Sequence, residues 1–278
     1  MKVKLAIAYL ESKLQGEESK DDARYLASHL LQKSFTWIKT WPDELLTLEQ
    51  KEQLEKLLER RLSGEPIAYI TGERDFWTLT LKTNPSTLIP RPETELLVEK
   101  AIEFLGNYPS KNAKVLDLGT GTGAIALAIA SARPTDKIIA CDFQAGAVEL
   151  AKENAKLNNI NNVTIIQSDW FSNMAEESFE LIVSNPPYVE EGDPHLTQGD
   201  LVFEPNSALV AADQGLADIK IIISESTRFL VDGGQLMIEH GYQQAEQLKA
   251  IFIENGFSQI ETYKDLAGLD RITKGVKI

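Results

Sequence analysis

Val115-Leu116-Asp117-Leu118-Gly119-Thr120-Gly121-Thr122-Gly123 carries an apolar strand directly into a glycine-rich turn. Glycine lets a backbone turn sharply and approach a ligand where a Cβ would collide. Ala124-Ile125-Ala126-Leu127 follows at once as the start of a helix. Strand, glycine turn and helix in that order are the opening unit of an α/β sheet, in which ligands sit beyond the carboxyl ends of the strands. The turn suits a nucleoside cofactor. Taken alone it also satisfies the loose dinucleotide fingerprint, with Ala124 in place of the third glycine.

Working outward, strands and helices alternate beyond residue 110. The pattern predicts strands at 114–117, 137–142, 163–167, 179–184 and 234–240, with helices near 123–132, 144–158, 215–231 and 242–255. Two further strand-like stretches, near 258–264 and 270–277, close the chain. The expected fold is therefore α/β, a mostly parallel Rossmann-like sheet covered by helices on both faces, with an antiparallel hairpin at its edge. Residues 1–73 read as all-helical. Leu26, Leu30 and Leu31 recur at helical spacing, as do Leu54, Leu57, Leu58 and Leu62. Thr47-Leu48-Glu49-Gln50 fits a capping box that starts a helix. Alternation from Phe76 predicts a β-hairpin linker over 74–88. Ile89-Pro90-Arg91-Pro92-Glu93-Thr94-Glu95 is a stiff loop leading into a helix from Glu93 to Gly106, and Arg91 reads as part of that helix start. The domain expectation is 1–73 helical, 74–88 linker and 89–278 catalytic.

Composition narrows the function classes. No stretch approaches the twenty unbroken apolar residues of a membrane span. Met1-Lys2-Val3-Lys4 ahead of Leu5 to Leu10 is briefly signal-like, but Glu11 and Lys13 interrupt it, so a helix is the reading. A single cysteine, Cys141, excludes an intrachain disulfide, and three scattered histidines offer no metal-ligand spacing. A cytoplasmic, metal-free monomer is expected. Formal charge is 28 − 42 = −14. Proteins that grip a phosphate backbone need a basic face, so the balance points to a protein or small-molecule substrate and away from nucleic acid.

Candidate site residues follow the strand ends. Asp142 closes the second strand about twenty residues after the turn, where a carboxylate can accept both ribose hydroxyls; a helix-capping role is its alternative. Gln167-Ser168-Asp169-Trp170 ends the third strand. Asp169 can accept an exocyclic adenine amine and Trp170 can meet the ring. A dehydrogenase would need a nicotinamide pocket with a proton-relay histidine or lysine, and none is evident. His195 reads as structural. The balance favours S-adenosyl-L-methionine, with S-adenosyl-L-homocysteine as product, bound by Gly119, Thr120, Gly121, Thr122, Gly123, Asp142, Asp169 and Trp170. Asn185-Pro186-Pro187-Tyr188 follows the fourth strand. The Asn185 side-chain oxygen and the Pro186 carbonyl can each accept an N–H from a planar NH2 group. The two prolines hold those acceptors still, and Tyr188 can stack on a flat amide. This arrangement suits methyl transfer to an amide or amino nitrogen, with Asn185, Pro186 and Tyr188 as catalytic residues.

These motifs resemble the HemK/PrmC family, the glutamine-N5 methyltransferases that act on peptide chain release factors. The resemblance spans nearly the whole chain. It rests on Gly64-Glu65-Pro66-Ile67-Ala68-Tyr69-Ile70-Thr71-Gly72, Leu88–Glu95, Asp117–Gly123, Ser184–Tyr188, Phe203-Glu204-Pro205, Ala208-Leu209, Ile238-Glu239-His240-Gly241 and Arg271. It implies a helical N-terminal substrate-recognition domain joined by a β-hairpin to a seven-stranded class I methyltransferase domain. It further implies that the substrate is the glutamine of the Gly-Gly-Gln loop of class 1 release factors, held by Asn185, Pro186, Pro187 and Tyr188, with Asn185 touching both ligands. Two rivals remain at this point. An adenine-N6 or cytosine-N4 DNA methyltransferase uses a similar loop but must flip its base and needs a phosphate-binding surface. A non-catalytic binding protein would have no use for an in-line acceptor pair.

Overall fold

The computed structural model describes residues 1–16, 18–109, 111–175 and 177–278. It divides into two units, Met1–Glu73 with Thr197–Phe203, and Arg74–Leu196 with Glu204–Ile278. The first unit contains α1 (Val3–Lys13), α2 (Ser19–Leu31), α3 (Phe35–Thr40), α4 (Leu48–Leu62) and α5 (Ile67–Thr71). Helical spacing puts Leu10, Leu26, Leu54, Leu58 and Ile70 in one apolar cluster, while Leu62 falls on the outer face. The capping box at the head of α4 is present. Gln50 N–H donates to Thr47 Oγ1 at 3.1 Å, and Thr47 N–H donates to Gln50 Oε1 at 2.9 Å. Within this unit Arg61 bonds Asp22 at 2.7 Å and lies 3.7 Å from Asp200.

The second unit opens on β1 (Glu73–Phe76) and β2 (Leu79–Lys82), a two-stranded sheet whose turn holds Trp77 at φ 57°. After α6 (Glu95–Asn107) come β3 (Lys114–Leu118), α7 (Ala124–Ala132), β4 (Lys137–Asp142), α8 (Ala145–Leu157), β5 (Val163–Gln167) and β6 (Phe179–Ser184). Short β7 (Val189–Glu190) and β8 (Val210–Ala211) pair in parallel, followed by the one-turn α9 (Ala212–Gly215). The chain ends with α10 (Ala217–Phe229), β9 (Leu230–Glu239), α11 (Ala245–Glu254), β10 (Phe257–Lys264) and β11 (Asp270–Lys277).

Seven strands form one sheet in the order β10-β11-β9-β6-β3-β4-β5. The pairs β9–β6, β6–β3, β3–β4 and β4–β5 are parallel, and β11 runs antiparallel to both β9 and β10. This is the mostly parallel sheet with an antiparallel edge hairpin that the periodicity predicts. Successive strand side chains point to opposite faces. Val115 of β3 accordingly joins a cluster with Leu97 and Leu127, whereas Leu116 and Leu118 join one with Ile222 and Leu248. Helices cover both faces.

Several boundaries differ by a few residues: α6 starts at Glu95, α11 at Ala245, and the hairpin strands end at Lys82; the largest shift lies before β9. The expected helix to residue 231 ends at Phe229, and β9 begins at Leu230, ahead of the expected 234. Phe179 pairs with Leu230 but Leu181 pairs with Gln235, so the intervening residues bulge out of the ladder. Gly233-Gly234 inside that bulge reads locally as a loop. The β7–β8 pair was also invisible, because two-residue strands leave no periodicity to detect.

Candidate active site

A cavity of about 320 Å³ lies in the second unit, beyond the carboxyl ends of β3, β4, β5 and β6. Its walls are Gly119–Thr122 after β3, Asp142–Gln144 after β4, Ser168–Trp170 after β5, and Asn185 and Pro187 after β6. Residues of the 86–94 segment, the first turns of α7 and α8, Ser207, Ala208 and Asp218 at the head of α10 also line it. The volume lies at the small end of the range for ligand pockets.

The glycine turn is held from below by Asp117, which is fully buried. Its Oδ2 accepts from Thr120 Oγ1 at 2.7 Å and from Ala126 N–H at 3.2 Å. Burial drives its pKa up to about 7 against those two hydrogen bonds. Gly119 adopts φ 71°, and a Cβ there would sit 3.3 Å from the Trp170 ring. Only glycine leaves that gap open. Gly121 and Gly123 share the left-handed conformation, but Gly123 lies outside the cavity lining.

Asp142 supports the turn and also faces the cavity. Its Oδ2 accepts from Gly121 N–H and its Oδ1 from Gln144 N–H, each at 2.9 Å. Each carboxylate oxygen keeps a lone pair for a ligand hydroxyl. Burial raises the pKa of this group, and its two backbone hydrogen bonds counter the rise. Asp169 is exposed at the rim. Trp170 is held at φ 44°. Its side chain acts on Asp218, whose pKa burial raises.

Asn185 sits at the cavity wall beyond β6. Ser184 Oγ donates to the Leu118 carbonyl at 2.8 Å and locks the ends of β6 and β3 together. Asn185 Nδ2 donates to Thr94 Oγ1 at 3.3 Å. Behind both stands Glu239, fully buried, its Oε2 without a hydrogen-bond partner among the described residues, with Thr94 and Asn185 both acting to favour its ionised form. Burial lifts the Glu239 pKa to about 7. Pro187 lines the cavity; Pro186 and Tyr188 do not. The Tyr188 side chain turns toward Glu239 and Arg271, and burial raises its pKa. Its carbonyl oxygen accepts from Gln244 Nε2. Gly215, at φ 79°, passes so close that a Cβ would collide with that carbonyl.

Arg91 does more than mark a helix start. It lines the cavity and bonds the buried Glu204 carboxylate at 2.6 Å, while the other Glu204 oxygen accepts from Ile89 N–H at 3.1 Å. Glu204 thus pins the 89–94 loop from within. His195 is exposed, 2.7 Å from Asp193, and outside the lining. Arg271 donates twice to Asp265. Sequence reasoning passed over Thr94, Phe143 and Asp218. Phe143 alone left a signal, an aromatic residue directly after the strand-ending carboxylate, and it is 63% exposed at the cavity. Among the described residues no cluster of three metal-ligating side chains occurs.

Two family profiles match the chain, "PrmC N-terminal domain" over residues 3–72 and "Methyltransferase small domain" over residues 94–211. The release factor glutamine methyltransferase of Escherichia coli K12 is 52% identical over 265 residues, covering 95% of each chain. That of Aliivibrio fischeri is 51% identical, covering 94% of this chain and 92% of its own. Among solved structures, the hMettl16 catalytic domain bound to an RNA hairpin aligns with a TM-score of 0.61 at 13% identity, covering 98% of this chain and 91% of that one. The Thermus thermophilus 16S rRNA N2 G1207 methyltransferase, solved with AdoMet and guanosine, aligns at 0.56 and 19% identity, covering 74% and 50%. At such identities the structural likeness speaks for the fold alone, and that fold is the seven-stranded methyltransferase architecture.

Proposed function

This chain belongs to the release factor glutamine methyltransferase family, and from that premise we propose that it methylates the side-chain amide nitrogen (N5) of the glutamine in the Gly-Gly-Gln loop of class 1 peptide chain release factors. Residues 1–73 are assigned to recognition of the protein substrate, 74–88 to the linker and 89–278 to catalysis. A net charge of −14 suits a protein partner better than nucleic acid. A substrate that works at the ribosome puts the enzyme in the cytoplasm, and no second copy is needed to complete the site.

S-adenosyl-L-methionine suits the cavity. The glycine cradle leaves room that a Cβ at 119 would narrow, and Asp142 keeps acceptor capacity for a ribose. Gly119, Thr120, Gly121, Thr122, Asp142, Asp169, Trp170 and Asn185 would hold it, with Gly123 shaping the turn from outside the lining. When bound, it supplies a methyl carbon activated by its sulfonium.

The chain's own residues must then present a reluctant nucleophile. An amide nitrogen is weak because its lone pair is delocalised into the carbonyl. Asn185 Oδ1 and the Pro186 carbonyl each accept one N–H of the glutamine, which fixes the nitrogen in line and favours its developing tetrahedral form. Pro187 and Pro186 restrict the loop to one geometry. Tyr188 anchors the loop's far end through its carbonyl, its ring packing toward Glu239 and Arg271 outside the cavity lining. No side-chain base is required, since the proton leaves late through the acceptors to water.

The observation that carries this reading is the Asn185 carboxamide, its NH2 committed to Thr94, in one cavity with the glycine turn and Asp142. Peptide-mapping mass spectrometry of release factor treated with this protein and cofactor tests it. A gain of one CH2 on the loop glutamine is expected; an unmodified glutamine, or label found in DNA instead, overturns it.

A further inference from the structure

We propose that Glu239 is a positioning residue: it fixes which way the Asn185 carboxamide faces, so that oxygen rather than NH2 meets the substrate amide. The inference deepens the proposed role of Asn185 and rests on it. A carboxamide is nearly symmetric in shape, and a half-turn exchanges acceptor for donor. With NH2 toward the cavity, Asn185 would confront the NH2 of the glutamine and hold nothing. Some neighbour must break the symmetry.

Three features of Glu239 fit that task. It sits at the end of β9, next to β6 in the sheet, so it reaches the loop leaving β6 from behind. It is 1% exposed and fully enclosed by protein. The side chains of Thr94 and Asn185 both act on its carboxylate, whose Oε2 is buried with no hydrogen-bond partner among the described residues. An ionised carboxylate accepts and never donates. Asn185 must therefore turn Nδ2 toward Glu239 and Thr94, and Oδ1 is left for the substrate. Thr94 reinforces the choice, because its hydroxyl oxygen receives Nδ2 at 3.3 Å.

The bias depends on ionisation. A protonated Glu239 carries a donor and can pair with Asn185 Oδ1, which turns the NH2 toward the substrate. The groups facing Glu239 are Glu93 and Thr94 from the 92–94 turn, Asn185 and Tyr188 from the loop after β6, and Arg271 from β11. Arg271 favours the ionised form, whereas burial and Glu93 oppose it. Single-turnover rate at saturating cofactor should rise with pH through about 7.

The test compares Glu239→Gln, Asn185→Asp and the double variant under those conditions. Glutamine at 239 can pair with either orientation, so the competent fraction should fall toward one half and the rate roughly twofold, with cofactor affinity unchanged and the acid limb gone. Asn185→Asp alone sets two carboxylates together and should be poorer still. The double variant restores a donor at 239 and an acceptor at 185, and it should exceed both single variants. Should Glu239→Gln not fold, Thr94→Val against Thr94→Ser asks the same question, and only the serine variant should keep the wild-type rate. A Glu239→Gln enzyme with wild-type rate and an intact acid limb, beside an inactive Asn185→Ala, overturns this inference alone. Near-normal turnover in Asn185→Ala removes the role of Asn185 and this inference with it.

Discussion

Gln244 Nε2 donates to the Tyr188 carbonyl oxygen at 3.1 Å and to the Gln214 carbonyl at 3.2 Å, while its Oε1 accepts from Gly241 N–H at 2.9 Å. One buried carboxamide ties the end of the Asn-Pro-Pro-Tyr loop to the segment before α10 and to the turn after β9. Gln244→Leu would strand three backbone groups. Leaving buried polar groups unpaired costs about 1–3 kcal/mol each, so urea unfolding should show a loss of at least ~2 kcal/mol. Turnover should fall more than cofactor affinity. A variant as stable and as active as wild type contradicts this.

Gly215 lies against the same Tyr188 carbonyl. Gly215→Ala adds a Cβ that collides with it, whereas Gly268, also at φ 79°, has open space around the equivalent position. Gly268→Ala therefore measures backbone strain alone. Gly215→Ala should lower the thermal midpoint further, by an extra ~1–3 kcal/mol of overpacking, and slow transfer. Equal effects at the two positions would show that the loop yields freely.

Asn185→Ala removes one fixed acceptor. Such losses typically cost roughly 10²–10³ in rate, and cofactor binding should weaken only modestly. Stopped-flow single turnovers and calorimetry separate the two quantities.

Asp142→Ala should act in the opposite sense, raising the cofactor dissociation constant more than it slows single turnover at saturation. It also strips acceptors from Gly121 and Gln144, so the turn itself should loosen. A rate defect without an affinity defect would take Asp142 off the ribose.

Asp117 predicts a pH dependence of stability. Its folded pKa, about 7, exceeds the ordinary 3.8 because of burial. The folded state then keeps a proton that the unfolded state has released. Its contribution is complete below 3.8 and is lost as pH rises to about 7. Asp117→Asn cannot titrate, so its stability relative to wild type should climb across that window by up to about 1.4 kcal/mol per pH unit. A difference that stays flat with pH contradicts the shift.

Much of the fold is legible in the sequence itself. The capping box at Thr47, the turn after β3 and the final hairpin came through because each is an agreement among near neighbours: a side chain bonding a backbone three residues away, glycines where φ must be positive, alternation on a pleated strand. The start of β9 did not, since Gly233-Gly234 looks like a loop until β6 supplies the partner that makes it a bulge. Asn185, Asp142 and Trp170 announced themselves by sitting after predicted strands. Thr94, Asp218 and Glu239 gave no such sign, being an ordinary threonine and two carboxylates within regular elements.

The order of residues was therefore enough to determine the sheet, the glycine turn after β3 and the Asn-Pro-Pro-Tyr loop after β6. Which way the Asn185 carboxamide points was decided only by the folded molecule. Strand order places Glu239 beside β6 and shuts it away from water, and the same packing brings Thr94 Oγ1, distant in sequence, within 3.3 Å of the asparagine NH2.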